Sequence, residues 1–221
     1  MKRLFIIFVG FCISVRLVQA EDEIQSKGYS IPTIDLSKQA HRQIVVDREK
    51  GQYLGHPTTV LLEDKKTMLI VYPKGHGRGG IVYKRSNDGG LTWSSRIPTP
   101  KSWSTSKEVP TLHRVIDASG QKRLIMWSGL YPARLAISEN DGDSWSELKP
   151  AGDWGGIVVM GCLEPLKTGK GNYMAMFHDD GRFFKGAMKR ESNPVFTLFK
   201  TFSKDGGLTW SYPEALFARS D

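Results

Sequence analysis

Cysteine is scarce in this chain: there are two in 221 residues, Cys12 and Cys162. Cys12 lies in the apolar N-terminal stretch, so a processed chain keeps only Cys162 and cannot form an internal disulfide. Stability must then come from a packed core, which about two hundred residues are enough to build. No run of lysine and arginine is interleaved with aromatics, so the signature of a nucleic-acid surface is missing and no nucleic-acid partner is expected. The five histidines show no metal-ligand spacing, and neither a metal nor a cofactor is expected. A membrane-spanning helix needs about twenty continuous apolar residues. The one apolar run, Leu4 to Ile13, is cut off by Arg16, so no membrane insertion of the mature chain is expected.

That run has a different use. Lys2 and Arg3, the apolar stretch, and Val18-Gln19-Ala20 ahead of acidic Glu21-Asp22-Glu23 form the pattern of a secretory signal peptide cleaved after Ala20. The mature protein is expected to be secreted or periplasmic, with residues 21–40 as a linker. Removing Lys2, Arg3 and Arg16 from the 31 basic residues leaves 28 against 23 acidic ones. This mild positive bias favours anionic ligands without demanding them.

Repeats dominate the rest. Ser86-Asn-Asp-Gly-Gly-Leu-Thr-Trp93, Ser138-Glu-Asn-Asp-Gly-Asp-Ser-Trp145 and Ser203-Lys-Asp-Gly-Gly-Leu-Thr-Trp210 share one pattern. The second copy has Asn140 for Asp and Ser144 for Thr, which keeps a short hydrogen-bonding side chain at both places. The chemistry is that of a tight turn: Ser and Asp side chains accept backbone N–H groups, Gly90, Gly142 and Gly207 take positive φ, and the Trp packs sideways. The boxes are therefore structural.

Four short strands surround each box. The spacing predicts Pro57–Leu62, Thr67–Tyr72, Gly80–Arg85 and Thr92–Ile97 in the first unit. It predicts Thr111–Ile116, Arg123–Ser128, Arg134–Ser138 and Ser144–Leu148 in the second, then Ile157–Leu163, Tyr173–Phe177, Phe196–Phe202 and Thr209–Ala215 in the third. The fold class expected is all-β, a β-propeller, with four-stranded blades over about 51–101, 107–150 and 155–221 of a propeller portion at 41–221.

The box, S-x-D-x-G-x-T-W, is the Asp-box, and the chain from His41 to Asp221 resembles sialidases and related secreted bacterial Asp-box propellers. The resemblance implies a six-bladed ring, of which three blades are the N-terminal half of something longer. It implies that His41–Asp47 is a lone outer strand closing a last blade, and that a nucleophilic tyrosine and its glutamate lie in later blades. The chain departs from the family at two places. Gly55, in Tyr53-Leu-Gly55-His56-Pro57, stands where the family has a carboxylate-gripping arginine, and the loop Pro73–Gly80 lacks the family's acid/base aspartate.

In an up-and-down meander the box turns lie on one face, the bottom, and the second-to-third-strand loops lie on the other. The top carries Gly55-His56-Pro57, Lys74-Gly-His76-Gly-Arg78, Ser106-Lys107-Glu108, Tyr131, Asp153-Trp154 and His178-Asp179-Asp180-Gly-Arg182. Glycoside cleavage needs paired carboxyl groups, or a tyrosine with one, and Asp179, Asp180 and Glu108 are the acids available. His56, Lys74, His76, Arg78, His178 and Arg182 are candidates to bind an anionic or polyhydroxy sugar. Each has a plain structural reading as well. His178 can be a packed histidine, Asp179-Asp180-Gly181 a turn, Glu108 a partner of Lys107, and the glycine-rich Lys74–Arg78 segment an ordinary loop. The expected function is a sialidase-like exo-glycosidase on a glycan or sialoglycoconjugate; a non-catalytic glycan-binding propeller and a purely structural module are the alternatives.

Overall fold

A computed structural model of the chain describes residues 32–76, 79–157, 160–183 and 196–218. The expected leader 1–20 and Arg78 lie outside them. The contacts divide the chain into two compact units, Met1–Ala40 and His41–Asp221. The second unit is all-β and holds three antiparallel sheets. Blade 1 is β1 (Thr58–Leu61), β2 (Met68–Pro73) and β3 (Ile81–Ser86). Blade 2 is β4 (Pro110–Ile116), β5 (Lys122–Ser128), β6 (Arg134–Ser138) and β7 (Lys149–Pro150). Blade 3 is β8 (Cys162–Pro165), β9 (Tyr173–Asp179), β10 (Thr197–Ser203) and β11 (Glu214–Ala218).

The sheets stack face to face, and the two-residue period of the strands decides which side chain goes to which neighbour. On blade 2, Leu124, Met126 and Ala136 join Leu69, Val71, Tyr83 and Trp103 in a core against blade 1. The intervening Ile125, Trp127 and Leu135 join Trp154, Ala175, Phe177 and Phe199 against blade 3. The first strands lie side by side: the Thr58 hydroxyl donates to Pro110 O at 3.0 Å and accepts Leu112 N at 3.2 Å. Stacked meanders with adjoining first strands are the β-propeller arrangement.

Each box is closed by its own side chains. In the first, Ser86 Oγ accepts Gly90 N at 2.8 Å, while Asp88 accepts Thr92 N at 2.9 Å and the Thr92 hydroxyl at 2.6 Å. The third repeats this with Ser203, Asp205, Gly207 and Thr209. In the second, the amide of Asn140 works from both ends: its Oδ1 accepts Ser144 N at 3.0 Å and its Nδ2 donates to the Ser144 hydroxyl at 2.9 Å. Trp93 and Trp210 donate their indole N–H to Gly90 O and Gly207 O. In the second box Tyr83 Oη of blade 1 donates to Gly142 O at 2.8 Å, and Trp145 packs edge-on against Trp103 instead. Gly142 has a φ of +84°, and a Cβ there would also sit 2.4 Å from Tyr83 Oη, so both the backbone conformation and the neighbouring blade call for glycine in this box.

The boxes also correct the outer strands. Expected at Thr92–Ile97 and Ser144–Leu148, the fourth strand is only Lys149–Pro150 in blade 2, and the described residues after the box in blade 1 form no strand. The reason lies in the serine after each tryptophan. Ser94, Ser146 and Ser211 donate N–H to the carbonyls of Arg85, Ile137 and Phe202. Their hydroxyls then accept the N–H of the same three residues. A side chain thus does what a strand carbonyl would do, and no regular ladder starts there. In blade 3, β8 begins at Cys162 rather than Ile157 and β11 runs from Glu214 to Ala218 rather than from Thr209 to Ala215.

The segment His41–Asp47, expected as a strand, is not one. Ala40–Arg42 is a 3-10 turn, and Val46 then packs with Leu54 and Trp93 over Ile70, Tyr72 and Val82 on the outer face of blade 1. Polar groups of that face hold it there. Asp47 accepts the Tyr72 hydroxyl and Arg96 Nε, and Lys84 Nζ donates to Val46 O.

Candidate functional site

The top face is built where connecting segments pass between blades 2 and 3. The connector into blade 3 is clamped on both sides: Leu130 N donates to Gly156 O at 2.6 Å and Ala133 N to Trp154 O at 2.8 Å, while Ile157 N donates to His178 O at 2.9 Å. A Cβ on Gly155 would come within 2.3 Å of Leu130 O and 2.6 Å of Phe183 O, so only glycine lets the two loops approach this closely. This packing carries the end of β9 and Arg182 into the mouth of the blade 2–blade 3 junction.

Three carboxyl groups converge there. Glu108 is 8% exposed, Asp179 0% and Asp180 5%, unusual burial for acidic side chains. Glu108 Oε1 accepts Val109 N at 2.8 Å. Asp179 Oδ2 accepts Gly181 N at 2.8 Å, folding the loop back on itself. Asp180 grips Arg182 Nε at 2.6 Å. The bond to Asp180 holds the Arg182 guanidinium above its ordinary value, with Asp179 and Glu108 adding to the effect. Asp180 is the direct partner of this cation, and Asp179 and Glu108 act on it at longer range.

Alternation excludes His178 from this group. Asp179 faces the blade 2 side of β9, whereas His178 faces the other, where its ring meets Phe196 with centroids 5.5 Å apart. His56 and His76 form a separate cluster on blade 1, with Nε2 and Nδ1 2.9 Å apart and the Tyr53 ring beside both. Lys74 is drawn away to Glu49 at 3.1 Å. The expected binding residues therefore fall into three places, Arg182 in the junction, His178 on the opposite face of β9, and His56, His76 and Lys74 on blade 1, with Arg78 outside the described residues. No group of three or more His, Cys, Asp or Glu suited to a metal occurs among the described residues.

Two features escape a reading of sequence alone. His113 on β4 faces blade 3, with Nε2 3.1 Å from Met160 O, and burial pushes its imidazole down to about 4. Arg134, the first residue of β6, donates Nη1 to the Thr105 hydroxyl at 2.8 Å and Nη2 to Thr105 O at 2.9 Å. The sequence places Arg134 only as a strand residue, and nothing in it reports which carboxylates a guanidinium will reach.

Fold and site together define a β-propeller whose top face carries buried acids. No family model and no curated protein matches the chain. Among solved structures it is similar to the GH93 α-L-arabinofuranosidase of Fusarium graminearum in complex with arabinobiose. The TM-score is 0.50 at 16% identity, over 77% of this chain and 51% of that one. It is also similar to a protein of unknown function from Dyadobacter fermentans, with TM-score 0.52 at 14% identity, over 79% and 58% of the two chains. The chain thus spans about half the length of the arabinofuranosidase. At these identities the likeness establishes the fold, one that a glycoside hydrolase shares.

Proposed function

We propose that this chain supplies part of the glycan site of a secreted glycoside hydrolase. The observation that carries the reading is the convergence of Glu108, Asp179 and Asp180, all buried, around Arg182 at the top of the junction. Cleavage of a glycosidic bond needs two carboxyl groups, one to protonate the leaving oxygen and one to act as base or nucleophile. Glu108 from blade 2 and Asp179 from blade 3 are the pair assigned to these roles. Asp180 positions Arg182, whose remaining N–H groups bind sugar oxygens. The likeness to an arabinofuranosidase supports a glycosidase, and the Asp-box resemblance supports the narrower sialidase-like form.

The alternative is glycan recognition without chemistry. It is favoured by the hydrogen bonds that already tie Asp179 to Gly181 N and Asp180 to Arg182, since a loop-forming carboxylate need not react. Calorimetric binding and product analysis of the secreted protein with sialyllactose and arabinobiose decide between them. Cleavage lost in Glu108→Gln, with binding retained, supports the hydrolase. Binding without cleavage assigns recognition alone. No binding of any glycan overturns both.

A further inference from the structure

Half-buried arginines in these blades have acidic partners. Arg85 meets Asp143 at 2.8 Å, Arg114 meets Asp141 at 2.7 Å and Glu63 at 3.1 Å, and Arg123 meets Asp117 at 2.7 Å and Glu139 at 2.9 Å. Arg134 is half buried as well, and its bonds go to the hydroxyl and carbonyl of Thr105, both neutral. Among the described residues it forms no ion pair. A guanidinium removed from water without a counter-charge is costly, and burial accordingly holds its pKa below the ordinary value.

The surroundings fit an anion. Arg134 borders an open pocket of about 360 Å³ lined also by Thr105, Lys107, Gly129, Tyr131 and Pro132, with no acidic residue in the lining. That volume suits a small ligand or one sugar ring. The two bonds to Thr105 fix the guanidinium plane and leave three of its five N–H donors, and a fixed fork of that kind matches an oxyanion in two-point contact. Lys107 brings a second positive charge, and the Tyr131 ring supplies a wall, its hydroxyl turned to Asp153. The pocket is on the top face, beside the chain segment that presents Glu108 but displaced outward from β4 to the start of β6.

We infer that this pocket binds the oxyanion of an acidic glycan, a uronate carboxylate or a sulfate ester, on a residue away from the cleaved bond. The saccharide part of the assignment rests on the glycan reading above; the oxyanion site stands on Arg134, Lys107 and the missing acid.

The test is calorimetric titration of the purified secreted protein with sodium glucuronate, methyl glucoside and inorganic sulfate, repeated on Arg134→Gln and Lys107→Gln. Glucuronate or sulfate should bind, methyl glucoside should not, and Arg134→Gln should weaken binding about tenfold or more, as expected for a lost charged hydrogen bond. If Arg134→Gln does not fold, Lys107→Gln still carries the test through a smaller loss and a weaker dependence on salt. Tighter glucuronate than sulfate assigns a uronate, and the reverse assigns a sulfate ester. Equal binding by wild type and both variants, or no binding of either anion by wild type, overturns the site. Sulfate bound through Arg134 while no saccharide binds would leave the pocket standing and remove the glycan reading. Neutral glycans bound with no anion bound would do the opposite.

Discussion

Blade 2 and blade 3 are built from the same repeat but are buried differently. In β5 the run Leu124, Ile125, Met126 and Trp127 is fully buried, each at 0% exposure. In β9 burial alternates: Tyr173, Ala175, Phe177 and Asp179 are buried, and Met174, Met176 and His178 are half exposed. The difference is one of neighbours. Blade 2 has a sheet packed on each face, while blade 3 has blade 2 on one face. A strand's burial period therefore reports how many of its faces are covered, and the same kind of apolar side chain stabilises to different extents in the two sheets.

The sharpest test compares side chains of the two blades. Trp127→Ala removes a ring lying 5.5 Å from Trp210 and 6.0 Å from Trp154. It should cost about 3–5 kcal/mol in urea unfolding, the range for large aromatic truncations in cores. Leu198→Ala, on the half-exposed face of β10, should cost about 1 kcal/mol, because little water-free surface is lost. Equal losses would break the comparison.

Acid should act at the seam between the same blades. The folded protein holds His113 neutral down to about 4, against an ordinary value of 6.5. Between those pH values the unfolded chain binds the proton first. The contribution is thus complete above pH 6.5 and is lost as pH falls toward 4, by about 3 kcal/mol in all. His113→Gln keeps a donor for Met160 O, and chemical denaturation at pH 7 and pH 4.5 should show a smaller drop for the variant than for wild type. An identical drop would mean that the seam does not exclude the charged ring.

A smaller effect is expected at the third box, on the blade 3 side. Asp205→Ala strips the acceptor from Thr209 N and from the Thr209 and Ser203 hydroxyls, and should cost about 1–2 kcal/mol in thermal or urea unfolding. Glycan binding measured well below the transition should be unchanged, since the box lies on the bottom face. Smallest of all, Lys200→Gln on β10 removes a 3.5 Å contact to exposed Glu214 and a distant approach of Nζ to the Phe202 ring at 5.7 Å, and its stability should stay within about 0.5 kcal/mol of wild type.

Much of this architecture is legible in the sequence, because the boxes are local. Ser86, Asp88, Gly90 and Thr92 close their turn with bonds spanning at most four residues, so neighbours in sequence suffice to specify it. The outer segments were less legible for the same reason: Ser94, Ser146 and Ser211 follow every box, yet a serine beside a strand gives no sign that its hydroxyl will replace a ladder carbonyl. Ile44, Val45 and Val46 read as a strand, but Ile44 and Val45 are exposed and polar anchors at Asp47 settle where the segment lies. At the site, the top-face argument went only as far as naming Glu108, Asp179 and Asp180 as the acids available on one face. The separation of His178 from Asp179 was available too, since consecutive strand residues point to opposite faces. The isolation of Arg134 was not, because it depends on which acids fail to reach it.

The serine that follows each box also bears on self-association. An outer strand with a long, regular row of free N–H and C=O groups is a template on which a second chain can add. Here the row is broken in each sheet. Blade 1 ends in paired contacts through Ser94, blade 2 ends in the two residues Lys149–Pro150, and in blade 3 the register slips between Leu198 and Phe199. The rims of the three sheets are thus poor seeds for strand-to-strand aggregation, and the segment that leaves each turn protects the protein at its periphery.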